Sequence, residues 1–142
     1  MRELFELSTN LELTDTEVRT PPALVEEMLD RLPASFWSDP SVRFMDPCAG
    51  MGTFVLCIID RLMRGLVDAF PDRSERAAHI LANQVWAYDV CPRQVRRLRG
   101  GLRKLGVEHL ARNVYNCNVL EQEFDMKFYV IVGNPPYNPP AK

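Results

Sequence analysis

The stretch that most constrains this chain lies at residues 42–64. Val42-Arg43-Phe44-Met45-Asp46 reads as a short apolar strand ending in an acid. It runs into Pro47-Cys48-Ala49-Gly50-Met51-Gly52-Thr53 and then into an apolar stretch that predicts a helix over 54–64. Strand, tight glycine loop and helix make the first half of a βαβ unit. Gly50 and Gly52 let the backbone turn sharply and approach a ligand closely. The loop has no Gly-Lys-Ser/Thr, which excludes a phosphate-cradling P-loop, and its spacing is not Gly-x-Gly-x-x-Gly, which disfavours a dinucleotide.

The rest of the chain alternates in the same way. Leu24, Val25, Met28, Leu29 and Leu32 recur at helical spacing, predicting a helix over 23–32 with Thr20 as N-cap, proline at the first helical position and Pro33 as the stop. Phe36 and Trp37 sit in the following loop, packed on the body. A second helix spans 73–81, and its His79 reads as a surface or packing residue. Residues 84–90 form a strand ending near Asp89, which suits a ribose diol and equally a cap for the helix after Pro92. That helix, 93–105, carries Arg93, Arg96, Arg97, Arg99, Arg103 and Lys104 over a thin apolar stripe. Its charged side reads as a solvated face, with phosphate contact as the alternative. Gly100 and Gly101 weaken it, each by roughly 1 kcal/mol against alanine. Strands over 114–118 and 128–132 complete the pattern. The expectation is an α/β fold, a Rossmann-like parallel sheet of order 3-2-1-4 flanked by helices, with ligands at the carboxyl ends of its strands.

The 142 residues fit one domain, with an N-terminal arm at 1–18 and the folded part at 19–142. A net charge of −2 gives no global field toward nucleic acid, which leaves room only for a local basic patch. Cys48, Cys57, Cys91 and Cys117 form no Cys-x-x-Cys pair and read as buried thiols, neither a disulfide framework nor a metal site. The start is too acidic for a signal peptide, and the longest apolar run, 53–60, is far short of the roughly 20 residues a membrane span needs. A cytoplasmic protein with no membrane partner is expected.

The last strand leads into Gly133-Asn134-Pro135-Pro136-Tyr137. The two prolines stiffen the loop and donate no hydrogen bond. The Asn134 side chain and the Pro135 carbonyl offer two acceptors, and Tyr137 a flat ring. Together they suit a planar heterocycle with an exocyclic amino group.

Asn-Pro-Pro-Tyr after an apolar strand resembles the catalytic motif of S-adenosylmethionine-dependent amino-methyltransferases, above all the adenine-N6 DNA methyltransferases. Asp46-Pro47-x-x-Gly50-x-Gly52 resembles the cofactor loop of that family, and Thr20-Pro21 its N-terminal cofactor-contacting motif. The resemblance implies S-adenosyl-L-methionine as cofactor and DNA as partner. It implies catalytic roles for Asn134, Pro135, Pro136 and Tyr137, with Tyr137 stacking on a flipped base. The implied cofactor-binding set is Thr20, Pro21, Asp46, Pro47, Cys48, Ala49, Gly50, Gly52, Asp89, Val90, Asn118, Val119 and Asn134; no metal is implied. Two positions depart from the family: Asn118 and Tyr129 each stand where an acid is common. RNA guanine-N2 and protein glutamine methyltransferases share the tetrapeptide, so they remain alternatives. So does a non-catalytic cofactor-binding subunit or truncated remnant that needs a partner chain. The resemblance covers only the cofactor half, without the target-recognition region. It therefore implies a domain truncated after strand 4, whose apolar edge calls for a second chain or self-association.

Overall fold

The computed structural model describes residues 20–135. The expectations for the arm at 1–18, and for Pro136 and Tyr137, lie outside the described residues. Four parallel strands, β1 (Phe44–Asp46), β2 (Val85–Asp89), β3 (Val114–Asn116) and β4 (Val130–Ile131), form one sheet of order β3-β2-β1-β4. The α/β, Rossmann-like expectation and its strand order hold.

Alternation along the strands sorts the two faces. Phe44, Val85, Ala87, Val114 and Val130 point into the main core. Against them pack the helices α1 (Pro22–Leu29), α2 (Thr53–Gly65), α3 (Arg73–Asn83) and α4 (Pro92–Lys104). The central member is α2, with nine of its thirteen residues buried. Met45, Trp86 and Tyr88 point the other way, into a smaller cluster covered by Cys117, Val119, Met126 and Phe128 from the 117–128 segment. Rings build that second layer: Trp86 meets Phe128 edge-on at 5.3 Å, and Tyr88 stacks on Tyr115 at 5.2 Å.

Several element ends differ from expectation. Pro21, not Thr20, is the N-cap of α1, and no side chain caps it; the helix stops at Leu29, with Asp30 as C-cap. The third strand closes at Asn116 and the fourth holds only two residues, because Cys117, Val119 and Phe128 are consumed as cover for the smaller cluster. In contrast, α3 runs past Leu81 to Asn83, its start capped by the Asp72 side chain on Glu75 N–H. Of the cysteines only Cys57 is buried; the other three are half-buried. His79 packs, as expected, stacked on Phe70 at 4.4 Å with Nε2 donating to the Pro40 carbonyl at 2.9 Å.

Helix α1 is held to the body through one guanidinium. Arg61 of α2 donates to the Glu26 carbonyl at 2.9 Å and to Asp30 at 2.7 Å, and also bonds the Glu26 carboxylate. Its guanidinium lies 5.2 Å from the Trp37 ring, which itself stacks on Phe44 at 5.1 Å. Half-buried and partnered on both sides, Arg61 fixes α1, and with it the chain just before α1, against α2.

Candidate functional site

The carboxyl ends of β1, β2 and β4 converge on the glycine loop. Its course is set by backbone bonds: Ala49 N–H donates to the Tyr88 carbonyl at 2.8 Å, and Gly52 N–H to the Ala49 carbonyl at 2.9 Å. Gly50 and Gly52 adopt φ of +56° and +98°, the left-handed region that side chains resist. Gly52 also has no room for a Cβ, because the Leu98 side chain of α4 lies against it.

Two carboxylates hold the loop. Asp46, 2% exposed, accepts from Cys48 N–H at 3.0 Å. Asp89 accepts from Gly50 N–H at 2.8 Å through one oxygen and from Cys91 N–H at 2.8 Å through the other. Asp89 thus ties two loops rather than capping α4, whose N-cap is Cys91. Each oxygen keeps a further lone pair for a ligand. Burial pushes the Asp46 carboxyl up to about 7; the Cys48 N–H opposes this and the nearby Asp89 charge adds to it. Burial likewise raises the Cys48 thiol, helped by the charges of Asp46 and Asp89.

The end of β4 reaches the same place. Val132 N–H donates to the Met45 carbonyl at 3.0 Å, which lays Gly133 directly on the Asp46 carboxyl group. A Cβ at Gly133 would strike Asp46 Oδ1 and come within 3.2 Å of its Cγ. Beyond it, Asn134 Nδ2 donates to Thr20 Oγ1 at 2.9 Å, joining residues 114 apart in sequence. That bond uses the amide nitrogen and leaves the Asn134 carbonyl oxygen as an acceptor.

Of the expected site residues, Thr20, Asp46, Pro47, Cys48, Ala49, Gly50, Gly52, Asp89 and Asn134 therefore meet around one end of the sheet. Pro21 caps α1, and Val90 and Pro135 are exposed next to Asp89 and Asn134. Asn118 stands beyond β3, its side chain accepting from Leu120 N–H at 3.0 Å, while Val119 packs on the Met45–Trp86–Tyr88 cluster. Sequence reasoning gave no role to Gly133 or to the Tyr88 carbonyl. A glycine placed between an apolar strand and Asn134 was the available signal for the first; a main-chain carbonyl leaves none.

No protein-family model matches this chain. Over 118 residues it is 30% identical to a protein of Mycoplasma pneumoniae described as an uncharacterized adenine-specific methylase. The match takes in 81% of this chain and 25% of that protein, so the chain spans about a quarter of its relative's length. No helix among the described residues is long and apolar enough to cross a membrane. The likeness, together with the Rossmann-like sheet, supports kinship with the methyltransferases.

Proposed function

We propose that this chain is the cofactor-holding half of an S-adenosylmethionine-dependent methyltransferase acting on the exocyclic N6 of adenine in DNA. The observation that carries the reading is the Thr20–Asn134 hydrogen bond beside Asp46 and the glycine loop. It gathers three separately recognised motifs at one end of the sheet, where open α/β sheets bind ligands.

The donor set suits the cofactor. Asp46 offers a buried carboxylate to an ammonium group, Asp89 offers free lone pairs to a ribose diol, and Gly50, with nothing within 4 Å of the place a Cβ would take, leaves the loop backbone open to a ligand. When bound, S-adenosylmethionine supplies an electrophilic methyl group on a sulfonium. The protein's own part is orientation. Thr20 fixes the Asn134 amide so that its carbonyl oxygen accepts an amine hydrogen, beside the Pro135 carbonyl. Two acceptors on one amino nitrogen localise its lone pair, and acceptor dipoles already in place favour the charge that grows there during transfer.

Calorimetric titration of the 142-residue chain with S-adenosylmethionine tests the reading, with Asp89→Ala beside it. The wild-type chain is expected to bind. The variant, whose Gly50 and Cys91 N–H groups lose their acceptor, is expected to bind at least tenfold more weakly. A folded wild-type chain that binds no cofactor would sink the proposal.

The edge of β4 belongs to the same proposal. Val130 and Val132 direct their N–H groups to β1, so Ile131 turns its own N–H and carbonyl outward, and its side chain is 64% exposed. A groove of about 290 Å³ runs beside it, lined by Leu24, Met28 and Leu32 of the α1 region. In a solution of this chain alone the occupant is a second copy, since backbone pairing across an open edge needs no special sequence. Sedimentation velocity should show association rising with concentration, and Ile131→Lys should abolish it. A wild-type chain that stays monomeric throughout would refute the pairing.

A further inference from the structure

Helix α4 breaks several local rules of helix building between its N-cap and Gly101. Its N-cap, Cys91, makes no side-chain bond to the first turn, which holds no acid. Arg93 stands in the first turn, where the helix dipole disfavours a cation, and Arg96 follows just beyond it. In the middle come Gly100 and Gly101, and a Cβ on either would meet nothing within 4 Å. Packing therefore gives no reason for glycine there. What holds the helix is the buried stripe Val95, Leu98 and Leu102. Several local rules broken in one element mark a surface shaped for something other than folding.

The charge on that surface is one-sided. Six of the chain's 17 Lys and Arg residues lie within these thirteen positions, which contain no acid. Arg99 donates to the Val114 carbonyl at 2.6 Å, and Arg103 pairs with Glu108, which ties both to the body. Arg93, Arg96 and Lys104 are exposed, and among the described residues none of these three is ion-paired with a carboxylate. Helical spacing sets Arg93, Arg96, Gly100 and Lys104 along one side, a line of about 17 Å. The exposed acids Glu121, Glu123 and Asp125 belong to the segment that covers the opposite face of the sheet.

We infer that this face of α4 docks the phosphate backbone of a nucleic acid. Spaced cations along one side match a line of phosphates, and the glycine pair between them gives the backbone a place to approach without side chains in the way. The line starts at Arg93, four residues past Asp89, so a strand lying on it passes the rim of the candidate site. The inference rests on the methyltransferase reading only for the identity of the substrate polymer.

The test is binding of the 142-residue chain to a short fluorescein-labelled DNA duplex at several salt concentrations, with the variant Arg93→Gln/Arg96→Gln/Lys104→Gln. The variant is expected to bind at least tenfold more weakly at low salt, with the salt slope shallower by about two to three. Its S-adenosylmethionine titration should match wild type, which shows the fold intact. Gly100→Ala/Gly101→Ala should melt higher yet bind duplex several-fold more weakly; wild-type affinity there overturns the role given to the glycines. A triple variant with unchanged affinity and slope overturns the surface. So does a folded chain that ignores duplex but is retained on phosphatidylserine vesicles. Duplex binding that depends on the three cations in a chain that does not bind S-adenosylmethionine would uphold the surface and sink the methyltransferase reading.

Discussion

Gly133→Ala should loosen β4 from β1 and cost about 2–3 kcal/mol of stability, the upper part of the range for overpacking a filled site. The new Cβ would strike Asp46 Oδ1, with Asp46 Cγ at 3.2 Å and Pro47 Cδ at 3.5 Å behind it. A flexible side-chain end would swing aside. Asp46 has little freedom to do so, being buried and held by Cys48 N–H, and Pro47 is a ring fixed to the loop. The strain falls on β4, whose two residues have few bonds to resist it. Asn134 moves with the strand and loses Thr20, so S-adenosylmethionine binding should weaken with stability. Urea denaturation of Gly133→Ala beside Gly100→Ala measures this, because a Cβ at Gly100 meets nothing and that variant should gain stability. A Gly133→Ala chain as stable as wild type would mean that β4 does not press on Asp46.

What the sequence disclosed and what it hid both trace to the range of the interactions. The unit at 42–64 was readable because its signals are local: an apolar strand, glycines where the backbone turns through positive φ, and a helix apolar enough to be central. Strand ends were misplaced where an apolar residue serves a different cover. Cys117 and Phe128 look like strand residues but pack, half-buried, as loop over Trp86 and Tyr88. Thr20 had the right chemistry for a cap and is instead bound to Asn134, a partner no local pattern could supply. The two largest constraints on the candidate site, Gly133 against Asp46 and Asp89 against Gly50, are both tertiary. Motif spacing named most of these residues; only the folded chain pairs them.

The protonation of Asp46 should make stability fall as pH rises. Its carboxyl titrates at about 7 in the fold, against 3.8 as its ordinary value. Between those two values the folded chain keeps a proton that the unfolded chain has released, so stability declines across that window. It is unaffected by this group below it and levels off above it. The interval corresponds to roughly 4 kcal/mol, an upper figure since water reaches a strained carboxylate. Urea midpoints measured from pH 4 to 8 should show the decline, and Asp46→Asn should remove it; parallel profiles would refute the assignment. The same group links protonation to the proposed cofactor. An ammonium beside Asp46 favours the carboxylate, so binding at pH 6 must expel the proton that burial retains. Calorimetry in buffers of different ionisation enthalpy should therefore register close to one proton released at pH 6 and far less at pH 8, with affinity tightening over that interval. Asp46→Asn, which has no proton to release, should show neither effect. Under the proposed function, the burial that raises the Asp46 carboxyl would thus also be the means by which the site selects a cation.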